Sequence, residues 1–237
     1  MGAAREDDLA GVIDREGFGR DGALLFRGVL GSEPLEALRA FANAQTAGRP
    51  GGRVVGDPSL TSLLSASGRV GQIAADLTSS GARPVRAVVF DKTKEANWIV
   101  AWHQDRTIPV RQQVEAEGFG PWSSKDGILH VAPPFEVLER MVTLRVHLDD
   151  VQNDNAPLRI AMGSHRLGRV AATDAGASAA RRPQQVCLAE AGDVWAYSTP
   201  ILHASDRAVT PRRRRVLQVD YADFDLPGGL EWRGLGD

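Results

Sequence analysis

Five histidines stand in the chain, at positions 103, 130, 147, 165 and 203, and two of them open an H-x-D triplet: His103-Gln104-Asp105 and His147-Leu148-Asp149. In an extended segment residues i and i+2 face the same side, so an imidazole and a carboxylate at that spacing can take adjacent positions on one metal ion. A further histidine from a distant strand would complete a facial set of three ligands. An octahedral Fe(II) then keeps three open positions, enough for a bidentate 2-oxo acid and O2 together. His203, in the run PILHASD, is the candidate for that third ligand. Eleven positions beyond it Arg214 opens the strand-like RRVLQVDY, where a guanidinium can pair in bidentate fashion with the distal carboxylate of such an acid.

One triplet is weak evidence, because five histidines and 19 aspartates in 237 residues produce about 0.4 of them by chance. Spacing to His203 does not choose between the two copies. Asp149 and Asp150, however, run into the turn-rich QNDNAP, so Asp149 reads as a turn initiator at a strand end and Asp105 is preferred as ligand. Alternation along the second triplet's strand puts Thr143, Arg145 and His147 on one face, directed into the fold, which makes Arg145 and His147 either candidates for contacts beside the site or buried groups satisfied by hydrogen bonds. The same rule groups Arg214 with Val216 and Gln218, and turns Arg215 away with Leu217 and Val219. Arg212 and Arg213 are compatible with a solvated basic run, and only Arg214 is singled out. Trp98 and Trp102 share a face with Val100 and Gln104, opposite His103 and Asp105, and are expected to pack the barrel. His165, in MGSHRLG, is expected to stabilise a turn, and the role of His130 is open.

These side chains need strands to hold them. Residues 6–16 place Leu9, Val12 and Ile13 on one helical face, with a break at Gly17 and Gly19 and a short strand from Ala23 to Phe26. A second helix is expected to be capped by Ser32, with Pro34 in its first turn and Leu35, Leu38 and Phe41 inward. Residues 48–58 are expected to form a loop, and 59–79 one or two more helices. Beyond Gly81 come short β-branched and aromatic runs: 85–90, 98–102, 142–148, 158–162, 185–188, 194–197 and 216–221. That order predicts a mainly β fold, a two-sheet barrel or jelly roll with N-terminal helices packed outside, in one domain over 1–237: a helical support region 1–80 and a β core 81–237. The stretch 106–134, long and weakly periodic, is the candidate lid, with a mobile surface insert as its alternative.

A formal net charge of −2 gives no field for nucleic acid or an anionic membrane, which leaves a small molecule as the expected partner. Cys187 is the only cysteine, so neither an intrachain disulfide nor a thiolate zinc cluster can form. No signal-like leader or membrane-length apolar run is visible, which points to a cytoplasmic protein. Met1-Gly2 lacks the Ser or Thr that a myristoylation start needs, since Glu6 stands there.

Residues 82–105, 143–165 and 192–215 together resemble the phytanoyl-CoA dioxygenase family of 2-oxoglutarate oxygenases. The resemblance implies a double-stranded β-helix in which His103, Asp105 and His203 bind Fe(II) and Arg214 anchors 2-oxoglutarate, with O2 as oxidant. By analogy with the family, Lys92 and Asn97 join Arg145 as candidate co-substrate contacts. The sequence departs at Ala156, where the family's turn usually has glycine. Because related halogenases leave the carboxylate's place free for halide, Asp105 favours hydroxylation of a substrate C–H bond. Two other readings fit parts of the pattern: a zinc hydrolase on the same two histidines and carboxylate, and a non-catalytic barrel that only binds a small molecule.

Overall fold

The computed structural model describes residues 13–235. The chain runs α1 (Arg15–Asp21), β1 (Ala23–Phe26), α2 (Ser32–Thr46), β2 (Gly51–Arg53), α3 (Thr61–Leu64), α4 (Arg69–Leu77), β3 (Arg83–Lys92), β4 (Val100–His103) and β5 (Ile108–Pro109). It continues through β6 (Trp122–Lys125), β7 (Ile128–Val131), α5 (Phe135–Glu139), β8 (Val142–His147), β9 (Leu158–Ala161), α6 (Ala175–Ala180), β10 (Gln184–Cys187), β11 (Val194–Ser198), β12 (His203–Ser205) and β13 (Arg214–Ala222). Three antiparallel sheets result, ordered β1-β11-β8-β13-β3-β2, β10-β9-β12-β4 and β5-β7-β6. The first two form the jelly roll that the strand pattern predicts.

Alternation along the large sheet sorts its residues sharply. Val89, Leu144, Val146, Leu148, Leu217 and Val219 turn outward into one apolar cluster with Leu38, Leu64, Val70 and Ile73 of the N-terminal helices. The opposite face of β3, β8 and β13 is polar and looks into the barrel, so the helices supply the apolar cover and the interior is released for chemistry. A smaller cluster of Leu158, Ile160, Trp195 and Tyr197 joins the two sheets at the other end.

Several elements differ from expectation. The helix expected at 6–16 lies mostly outside the described residues. The described helix α1 begins at Arg15 and runs through Gly17 and Gly19, because the Asp14 carboxylate caps it by accepting from the Gly17 N–H at 2.7 Å. Gly31, not Ser32, is the cap residue of α2. The loop expected at 48–58 contains β2, an edge strand on β3. A Cβ on Gly51 would approach the Val89 carbonyl to 2.8 Å, so glycine is what lets this strand lie so close, and glycine also conceals the strand from a propensity reading. The 106–134 stretch holds β5, β6 and β7. Its hairpin turns on Asp126 and Gly127, both with positive φ (52° and 77°), and Lys125 pairs with Ile128, the geometry of a two-residue turn. Among the described residues, no helix is long and apolar enough to cross a membrane.

Candidate functional site

His203 of β12 pairs directly with His103 at the end of β4, and the two rings stand 4.2 Å apart between centroids. Asp105 follows two residues past His103. One ligand atom from each of His103, Asp105 and His203 lies within 4.8 Å of the others. Each imidazole is oriented by its own strand: Nδ1 of His103 is 2.8 Å from the Ala101 carbonyl, and Nδ1 of His203 is 3.0 Å from that of Ile201. A carbonyl only accepts, so Nδ1 carries the proton and each Nε2 lone pair is free for a metal. Burial and the neighbouring His103 lower His203 to about 4, which keeps it neutral and ligand-competent at pH 7. The donor set and its convergence fit Fe(II).

Behind Asp105 lies a network that the sequence reading missed. Arg86 donates to the Asp105 carboxylate at 3.1 Å and meets Asp220 at 2.5 Å, while Asp220 accepts from the Thr143 hydroxyl at 3.0 Å. Burial works against the Asp105 charge, yet Arg86 and both imidazoles outweigh it and hold the carboxyl at about 2. Burial and the nearby Asp105 push the Asp220 carboxyl up, against the pull of Arg86. Cross-strand register assembles these groups, since Asp220 pairs with Arg86 on one side and with Thr143 on the other.

Beside the trio is a cavity of about 140 Å³ whose walls include Phe90, Lys92, Trp98, Arg145, Arg214 and Gln218. Three of these are cations, and Asp105 is the one carboxylate in the lining. Arg145 donates to Gln218 Oε1 at 2.6 Å, Lys92 donates to the Trp98 carbonyl at 2.7 Å, and Arg214 donates to the carbonyl of Ala156. Burial and mutual repulsion lower Lys92 to about 8 and Arg214 to about 9. An anion placed among them would remove that penalty. Ala156 has φ +53°, a left-handed conformation that favours glycine, and its carbonyl also accepts from the Ser205 hydroxyl at 3.1 Å.

Other expected positions need correction. Asn97 is not in the cavity lining; its side-chain amide donates to the Ala208 carbonyl at 3.0 Å and accepts from the Ala208 N–H at 2.8 Å, clamping two loops. Trp98 and Val100, assigned to the packing face, line the cavity with His103. The cause is a bulge: from His103 to Val100 β4 spends three steps against two on β12, which flips the alternation. Trp102 does pack, against Val170 and Leu202. Arg212 pairs with Asp154, and Arg213 with the buried Asp91 at 2.7 Å. His165, expected to stabilise a turn, instead meets the Gly19 carbonyl of helix α1 at 3.2 Å.

His147 faces inward from β8, buried, with neither ring nitrogen in a hydrogen bond to a protein group. Burial, Arg145 and Arg214 hold it well below the usual 6.5. The fold therefore stabilises the neutral ring, while the unfolded chain takes up a proton below about pH 6.5, so this contribution is lost as pH falls from there toward the folded value. Urea titrations are expected to show His147→Leu less acid-sensitive than the parent by up to about 1.4 kcal/mol per pH unit between pH 6 and 5. Parallel pH dependences in the two proteins would contradict a neutral buried His147.

Solved structures share this architecture. The epimerase SnoN, in complex with Fe3+, alpha ketoglutarate and nogalamycin RO, aligns with a TM-score of 0.64 at 22% identity, over 91% of this chain and 89% of its own. SnoK, a non-heme alpha ketoglutarate dependent carbocyclase from nogalamycin biosynthesis, gives 0.67 at 18% identity, over 92% and 85%. HygX from Streptomyces hygroscopicus, with nickel and 2-oxoglutarate bound, gives 0.60 at 19%, over 89% and 87%. No curated protein matches in sequence. The phytanoyl-CoA dioxygenase family model, in contrast, matches residues 18–216. The chain therefore belongs to the phytanoyl-CoA dioxygenase family, oxygenases that depend on iron, 2-oxoglutarate and O2.

Proposed function

We propose that His103, Asp105 and His203 hold the Fe(II), that the adjoining cavity takes 2-oxoglutarate, and that the protein hydroxylates a C–H bond of a small molecule. One observation carries this reading: a partly buried two-histidine, one-carboxylate trio opens into a pocket with three cations and a single carboxylate, which suits a dianionic co-substrate. When bound, the iron supplies oxygen activation coupled to decarboxylation of 2-oxoglutarate to succinate and CO2. Arg214 and Lys92 bind and neutralise the distal carboxylate, with Arg145 held by Gln218 beside them. Phe90 and Trp98 exclude water from the co-substrate, and Lys125 and Asp126 of the 106–134 stretch line the adjoining cavity. Asp105 fills the carboxylate position, which favours hydroxylation over halogen transfer.

Anaerobic addition of Fe(II) and 2-oxoglutarate is expected to give a weak visible charge-transfer band that His103→Ala abolishes. Arg214→Met should raise the half-saturating 2-oxoglutarate concentration about a hundredfold, since truncating one partner of a buried charge pair costs roughly 2–5 kcal/mol. A zinc-loaded protein that hydrolyses its substrate, with no succinate ever formed from the iron form, would sink the proposal.

A further inference from the structure

A second cavity, about 380 Å³, adjoins the first and shares Phe90, Trp98, Asp105 and Gln218 with it. The other charged groups in its wall are Arg53, Arg86, Lys125 and Asp126. Two of the three cations are already matched. Arg86 is held by Asp105 and Asp220, and Arg53 meets Asp126. Lys125 is not: its ammonium donates at 2.6 Å to the neutral hydroxyl of Thr107, and it has no carboxylate partner among the described residues. An ammonium drawn out of water without a counter-charge is costly unless a ligand supplies one.

The fold holds Lys125 in that position. It is the last residue of β6, immediately before the tight Asp126-Gly127 turn, and the Thr107 contact fixes its tip. The hairpin also carries Asp126, so one rigid element brings the free cation to the cavity and occupies Arg53. Lys125 is not part of the inner cavity, where Lys92, Arg145 and Arg214 stand, so the co-substrate's carboxylates have their own partners. Half-burial, together with Arg86 and Arg53, lowers the Lys125 pKa against the pull of Asp105.

We infer that the substrate carries an anionic group, a carboxylate or a phosphate ester, which pairs with Lys125 in the outer cavity beside Asp105. This rests on the proposed function, since it assumes that 2-oxoglutarate fills the inner cavity.

Calorimetric titration of the anaerobic protein, loaded with Fe(II) and saturating 2-oxoglutarate, tests it with hexanoate, hexyl phosphate and hexanamide as probes. At least one anion is expected to bind about tenfold or more tighter than the amide, as a charge-assisted hydrogen bond provides. The tighter of the two identifies the group as carboxylate or phosphate. Lys125→Met should bring the anion-to-amide ratio to within about twofold, and Lys125→Arg should keep it. Asp126→Asn, which takes the counter-charge from Arg53, should widen it by freeing a second cation, and Lys125→Gln, which can keep the Thr107 contact, should lose it and decides the matter if Lys125→Met fails to fold. Equal binding of all three probes by the parent, no binding of any, an undiminished preference in Lys125→Met or Lys125→Gln, or a narrowed one in Asp126→Asn, would overturn the inference. The 2-oxoglutarate titration of the parent separates the two levels. If 2-oxoglutarate binds and the anions are not preferred, only the substrate class is wrong; if it does not bind, the function proposed above fails.

Discussion

Asp105→Ala is expected to lower iron- and 2-oxoglutarate-dependent succinate formation by about a thousandfold or more, because it removes one of three ligands and vacates a coordination position. Asp149→Ala, which breaks the other H-x-D triplet, should leave turnover of the folded protein within about twofold of the parent. Its cost falls on stability. Asp149 Oδ2 accepts from the Arg215 N–H at 2.8 Å and from its Nε at 2.9 Å, while Oδ1 accepts from its Nη2 at 2.6 Å. Breaking a buried pair by removing one partner costs about 3–5 kcal/mol; with both side chains slightly exposed, about 2–3 kcal/mol is expected from urea denaturation. If Asp149→Ala lost iron while Asp105→Ala retained it, the trio would be misassigned.

The two triplets also show what a sequence reveals and what it hides. Both have the spacing that puts i and i+2 on one side, and both carboxylates lie past the end of their strand; where the chain turns after β8 Asp149 is taken by Arg215, whereas Asp105 converges with His103 and His203. The turn-rich continuation of β8, QNDNAP, betrays that turn. The inward polar faces of β8 and β13 were legible from two-residue alternation, and so were the apolar partners of the helices. Alternation misplaced Trp98 and Val100, because a bulge is set by the partner strand and leaves no residue signature in β4. The Asp126-Gly127 turn had a signature: an Asp-Gly pair between Ser-Ser-Lys and Ile-Leu-His is a strong short-range hairpin signal, hidden in a stretch that looked like loop because its strands are short. Arg86 was within reach too. It shares the inward face of β3 with Lys92, six residues on, but a lone arginine in a strand reads as surface until β13 places Asp220 opposite it.

Arg86 is also where the largest combined loss is expected. Arg86→Met removes a contact at 3.1 Å to Asp105 and one at 2.5 Å to Asp220, and leaves the buried Asp220 carboxyl with only Thr143 from this network. Destabilisation of about 3–5 kcal/mol should follow, together with a 10- to 100-fold weaker iron affinity, the usual effect of losing a group that orients a metal ligand. Arg86→Lys keeps a charge but not the planar fork that spans two carboxylates, so it should recover only part of either loss. The double variant Arg86→Met, Asp220→Asn separates the causes. With the buried Asp220 carboxylate gone, most of the lost stability should return. Asp105 still lacks the guanidinium that aims it, so the iron affinity, read by metal titration, should stay low. Recovery of both quantities would mean that Arg86 acts only through the fold; recovery of stability alone identifies it as the residue that positions the carboxylate ligand.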